Sequence, residues 1–114
     1  MENTIFDKIL AGDIPAKVVY EDEHVLAFHD VNPQAPVHVL VIPKQKVVRF
    51  QDLPEQDLTM VGRLFQTAAI VARQLGLEDK GYRVVVNNGE QGQQTVAYIH
   101  LHILGQRQMK WPPG

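Results

Sequence analysis

The chain has 114 residues, 45 % of them apolar, which is the size of one compact domain able to bury a core without metal or disulfide staples. Thirteen acidic and eleven basic residues leave a net charge of −2, which excludes the strongly basic footprint of a nucleic-acid binder but not a local positive pocket. There is no cysteine, so disulfides, thiolate zinc sites and cysteine nucleophiles are excluded, in keeping with a reducing compartment.

In chain order, Thr4 is placed to cap a short helix that runs through Leu10 or Ala11 and ends at Gly12. Ile5, Phe6, Ile9 and Leu10 fall on one stripe of it. After the turn Asp13-Ile14-Pro15, two strands are predicted at Lys17–Tyr20 and Val25–His29, joined tightly through residues 21–24. Asn32-Pro33-Gln34-Ala35-Pro36 must be a loop, because each proline removes a ladder donor. A third strand spans His38–Ile42 and stops at Pro43. Pro54 suits the first turn of a long helix, with Glu55 and Asp57 near its positive end. Leu58, Val61, Leu64, Phe65, Ala68, Val71, Ala72 and Leu75 keep helical spacing as far as Gly76. Strands are predicted at Tyr82–Val86, before the turn Asn87-Asn88-Gly89, and at Val96–Leu104. Five strands and two helices with hairpin-like neighbours make an α+β fold, an antiparallel sheet with helices on one side. No apolar run approaches the roughly 18 residues of a membrane span. The first eight residues lack the order of a signal peptide, so no membrane partner and a cytoplasmic location are expected.

The chemistry lies in the last strand. Alternation sends Ile99, Leu101 and Ile103 to one face, and Tyr98, His100 and His102 to the other. The first set is a core face, and the second needs a use. Two histidines at this spacing stand roughly 7 Å apart and can act on one ligand. A lone histidine is ordinarily a structural or surface residue, whereas two on one face of a buried strand need compensation for desolvation. His38, on another strand, can reach the same face if the strands pair. His24 reads as a solvated hairpin residue, and His29 is as readily structural as functional.

Metal binding and nucleophilic or acid–base chemistry both use such clusters. Nothing nearby in sequence supplies a cysteine or carboxylate at ligand spacing, so no metal is expected. Imidazole can attack phosphorus and then be displaced by water. The turn from Asn87 to Thr95, including Gln93 and Gln94, offers amides, a hydroxyl and backbone N–H groups to phosphate oxygens.

Taken together these residues resemble the histidine triad superfamily, specifically its nucleotide-binding phosphoramidase branch, over one domain covering residues 1–114. The resemblance runs through Thr4-Ile5-Phe6, Lys8-Ile9, Ile14-Pro15, Ala27-Phe28-His29-Asp30, Pro33-Gln34-Ala35-Pro36 with His38, and Ile42-Pro43-Lys44. It continues in Gly81-Tyr82-Arg83, Arg107-Gln108-Met109 and Trp111-Pro112-Pro113-Gly114. It implies a homodimer with a joined sheet, no cofactor or metal, and purine nucleoside phosphoramidates or aminoacyl adenylates as substrates. On that resemblance His100 is the nucleophile that forms a nucleotidyl–histidine intermediate, His102 contacts the phosphate, and His38 completes the cluster. Asn87 and Thr95 then serve the phosphate or leaving group, and Trp111 shapes the leaving-group side.

At the nucleoside end, Asp30 is a bidentate acceptor for ribose hydroxyls, with His29 beside it. Ile5, Phe6, Ile9, Phe28 and Val31 can form an apolar slot for a base. Two positions depart from the family pattern. Tyr98 replaces the first of three alternating histidines with a phenol that titrates near 10 rather than about 6.5. Gln93 stands where glycine is usual. Retained nucleotide binding with slower turnover is one expectation; its alternative is a catalytically weak nucleotide-binding module acting through a protein partner.

Overall fold

In the computed structural model, which describes residues 3–114, strand alternation sorts the apolar side chains into cores on opposite faces of one sheet. The elements are α1 (Ile5–Leu10), β1 (Val18–Glu21), β2 (Val25–His29), β3 (Val37–Pro43), a 3-10 turn at Phe50–Asp52, α2 (Leu58–Gln74), β4 (Tyr82–Val86) and β5 (Leu101–Gly105). All strand pairs are antiparallel, in the order β1-β2-β3-β5-β4. This is the five-stranded, two-helix α+β architecture that the sequence predicts.

On one face, Val25, Ala27, Val39, Val41, Leu101 and Ile103 pack on Leu64, Ala68, Val71 and Ala72 of α2. On the other, Phe6 of α1 meets Leu26, Phe28, Leu40, Ile42 and Tyr98. The helices therefore cover opposite faces, not one side as the order of elements suggests. Helix α1 is only six residues long and buries a single side chain, Phe6. It cannot cover its face, and the uncovered part becomes the floor of a cleft.

Local chemistry explains the element ends. Thr4 caps α1 as predicted: its hydroxyl accepts from the Asp7 N–H while Asp7 accepts from the Thr4 N–H, and Lys46 then ties Asp7 at 2.8 Å. Helix α2 begins at Leu58 rather than at Pro54. Asp57 is its cap, accepting from the Thr59 and Met60 N–H groups, and Pro54–Asp57 closes a separate turn. The last ladder starts at Leu101, not at Val96. Its register with β3 leads toward Pro43, which has no N–H to offer, so the chain from 96 to 100 leaves the sheet and Ile99 N–H bonds Val47 O at 2.7 Å instead. The alternation of side chains nevertheless carries through this segment: Ile99 joins Val47 and Met60 in a small cluster, and Tyr98 enters the α1 core. Among the described residues, no helix is long and apolar enough to cross a membrane.

Candidate active site

β3 lies beside β5, and the register sets Leu40 opposite His102 and His38 opposite Leu104. His38 and His102 thus share a face as diagonal neighbours, with ring centroids 5.1 Å apart. The His100 and His102 rings are 4.8 Å apart, closer than strand spacing alone implies. The pairing brings together all three histidines that the sequence singled out.

Their hydrogen bonds form a directed chain. The Gln34 backbone N–H, which can only donate, points at His38 Nδ1 at 3.0 Å. A neutral His38 then carries its proton on Nε2, which lies 2.9 Å from His102 Nδ1 and 3.4 Å from Asp30 Oδ2. The nearer nitrogen accepts, so the His102 proton sits on Nε2. That atom is buried and has no partner among the described residues. A buried donor left unmatched costs free energy unless a ligand satisfies it. His100 follows the opposite logic. Its Nδ1–H donates to the Tyr98 carbonyl at 2.7 Å, which leaves the Nε2 lone pair unprotonated. The cluster therefore offers an anionic ligand one nucleophilic nitrogen and one N–H donor.

Burial keeps the cluster neutral. It lowers the His38 pKa against the opposing pull of Asp30, and it lowers that of His100 although the Tyr98 carbonyl works the other way. For His102, burial followed by the neighbouring His100 and His38 brings the value down to about 4. None of the three needs to lose a proton before acting at neutral pH.

Tyr98 does not restore a bond to this cluster. Its hydroxyl donates to Pro43 O at 2.5 Å, its ring stands edge-on to Phe6 at 5.9 Å, and burial pushes its pKa up to about 12. The backbone carbonyl of residue 98, which any residue supplies, orients His100. The first triad position is thus a core anchor in this chain.

The histidines line a cleft of about 570 Å³. Ile5, Phe6, Ile9, Phe28, His29, Asp30, Val31, Gln93 and Thr95 line it too, as the sequence analysis anticipates. Phe6 packs edge-on against Phe28 at 5.6 Å and against the His100 ring at 5.0 Å, which stiffens the apolar wall. Asp30 is half-buried, and its Oδ1 accepts from the Asn32 N–H at 2.9 Å. Pro15, Ala16, Asn32, Gln34, Leu40 and Val96 complete the lining without having been singled out. Gln34 acts through its backbone N–H, for which no side-chain signal exists in a sequence.

Three anticipated residues lie elsewhere. Gln94 is turned into the loop: its Nε2 donates to Val48 O at 2.6 Å and its Oε1 accepts from the Gly89 N–H at 2.9 Å. Asn87 reaches across the same loop to Gln93 O at 3.4 Å. Both shape the loop that follows β4 without lining the cleft. Asn88 anchors that loop to the 3-10 turn through the Phe50 N–H at 2.8 Å. Gly92 is required there, because a Cβ would stand 2.8 Å from Asn88 O. Trp111 is 80 % exposed and lies near Arg83, whose Nη2 holds Lys110 O at 2.9 Å. His24 is exposed, as expected of a hairpin residue.

Asp30, His38 and His102 each present one ligand atom within 4.8 Å of the others, the outline of a cation site that the sequence does not anticipate. The fit to zinc is poor. Two nitrogens on one tetrahedral zinc stand about 3.3 Å apart. His38 Nε2 and His102 Nδ1 are 2.9 Å apart and share a proton. Zinc would have to part the rings and remove the bond that orients His102.

The model of the HIT domain family matches residues 11–109. The chain is 56 % identical over 113 residues to the 14 kDa zinc-binding protein of Zea mays, covering 97 % of this chain and 88 % of the relative. It is 50 % identical over 113 residues to adenylylsulfatase HINT1 of Arabidopsis thaliana, covering 97 % and 76 %. The crystal structure of a HIT family hydrolase from Legionella pneumophila Philadelphia 1 superposes with a TM-score of 0.94 at 46 % identity, over 98 % of this chain and all of that one.

Proposed function

We propose, from the premise that this chain belongs to the HIT domain family, that it is a purine nucleoside phosphoramidase working through a nucleotidyl–histidine intermediate on His100. The observation that carries the reading is the pair of opposed tautomers: a lone pair on His100 Nε2 beside an unmatched N–H on His102. A hydrolase role is supported by the Legionella relative, and an adenylyl group as the moiety held is supported by the name of the Arabidopsis relative. The base enters the slot between Ile5, Phe6, Ile9 and Phe28, the ribose hydroxyls meet Asp30, and the phosphate accepts from His102 Nε2–H.

His100 Nε2 attacks phosphorus, the P–N bond to the leaving amine breaks, and the amine takes a proton from water at the open rim. Water then attacks phosphorus and the P–Nε2 bond breaks. The nucleoside monophosphate leaves, a proton returns to solvent, and His100 recovers its lone pair. His38 is a positioning residue that fixes the tautomer of His102. Because Tyr98 acts through its carbonyl, the missing third imidazole does not interrupt this chain.

A homodimer is part of the proposal. The outer edge of β4 pairs with no strand among the described residues, and Tyr82, the first residue of that strand, is exposed. Joining two copies there lets Trp111 serve the partner's cleft, and the cytoplasm is the proposed compartment. The test is release of ammonia from adenosine 5′-monophosphoramidate, with AMP binding measured by calorimetry. Turnover by the wild type that His100→Ala loses supports the enzyme. Binding without turnover in the wild type overturns it and leaves a nucleotide-binding module.

A further inference from the structure

We propose that Gln93 sets the leaving-group specificity of the cleft, selecting compact, oxygen-bearing groups over bulky apolar ones; the inference rests on the phosphoramidase reading above. Three observations meet at this residue. Its φ is +60°, the left-handed region where glycine is the unstrained choice, yet it carries a long side chain. Its backbone is held on both sides: the N–H donates to Glu90 O at 2.9 Å, and the next residue is fixed by Gln94 N–H to Gly89 O at 3.0 Å and by the Gln94 side chain to Val48. The main chain therefore cannot withdraw from the cleft. Finally, Gln93 is an exposed residue of the cleft lining, and its carboxamide has no hydrogen-bond partner among the described residues.

Glycine would make the same turn without strain, so the turn alone does not explain the side chain. Within the cleft, the apolar slot and Asp30 are taken by base and ribose, and the histidines by the phosphate. The polar wall of Gln93 and Thr95 remains for the group attached to phosphorus. A carboxamide there offers two donors and one acceptor, which suit a carboxylate or carboxamide on a small amine. The same side chain occupies volume that a large aromatic amine would need.

The test compares kcat/KM for two substrates, AMP joined through nitrogen to glycine and AMP joined through nitrogen to tryptamine. The wild type is expected to favour the glycine conjugate. Gln93→Gly is expected to move the ratio about tenfold toward tryptamine, the scale of one pocket contact. Gln93→Leu, similar in bulk but without the amide, is expected to keep the exclusion of tryptamine and lose several-fold on the glycine conjugate. A thermal melt checks the fold, and the glycine variant should melt no lower than the wild type because its φ suits glycine. Ratios unchanged within about twofold in both variants, with the wild type hydrolysing its substrates, overturn this inference alone. Failure of the wild type to hydrolyse either substrate overturns it together with the phosphoramidase reading.

Discussion

The two faces of the sheet are built from the same strands by the same alternation, and they differ in what finishes them. On the α2 face, β3 contributes Val37, Val39 and Val41 and β5 contributes Leu101 and Ile103, and hydrocarbon packing completes the job. On the other face the same strands contribute His38, Leu40 and Ile42, and His102. Only Leu40 and Ile42 join a core there. The histidines depend on backbone groups outside the ladder, the Gln34 N–H and the Tyr98 carbonyl, to fix which nitrogen carries a proton. A packed face is tuned by volume, and the histidine face by donor and acceptor direction. Stability and activity should therefore separate by face.

The widest separation is expected from His100→Ala. On this account it lowers kcat/KM by at least about a thousandfold, the scale of losing a nucleophile. AMP binding should survive, which calorimetry on the folded variant checks. On the opposite face, Leu64→Ala removes a side chain only 2 % exposed and should destabilise by about 2–5 kcal/mol in urea melts. Turnover per folded molecule should hold. If it collapses as well, the two faces are not independent.

Acid sharpens the contrast. All three cluster histidines have folded pKa values below their ordinary one, so the unfolded chain takes up protons from about pH 6.5 downward that the fold resists. Their effect on stability is absent above pH 6.5. As pH falls, stability is lost progressively, through the value of about 4 that His102 shows. The urea midpoint should drop across that window, and less steeply in His102→Gln. An identical slope in that variant would place the acid sensitivity elsewhere. For the same reason, the acid limb of kcat/KM should lie below pH 6.5.

The smallest effect is expected at Tyr98. Tyr98→Phe leaves Pro43 O without its donor and should cost about 1–2 kcal/mol of stability. Turnover should stay within about twofold, because the carbonyl that orients His100 remains. Tyr98→His, which completes the triad on paper, should melt lower and turn over no faster. A large gain in rate would mean that the third imidazole matters after all.

Much of this was legible in the sequence because period-2 alternation is a local property. It assigned His100 and His102 to one face and pointed to His38, even though the ladder itself begins only at Leu101. The gathering of Phe6, Phe28 and Asp30 around one cleft was legible from residue type and position. What escaped was non-local or belonged to the main chain. That α1 lies across the sheet from α2 depends on where Phe6 finds its core. Gln94 reads as a phosphate ligand until Val48 and Gly89 are seen to occupy its amide. Tyr98 reads as a damaged triad member until its hydroxyl is traced to Pro43. The tautomers rest on a backbone N–H and a backbone carbonyl, which no residue letter encodes.

The most direct test of the central claim is to mix the protein with adenosine 5′-monophosphoramidate, quench within milliseconds to seconds, and map the modified peptide by mass spectrometry. The account predicts one adenylyl group on His100, formed and lost at rates that support turnover, and absent from His100→Ala. Turnover that proceeds undiminished in His100→Ala, or an adduct carried by a different residue, would contradict it.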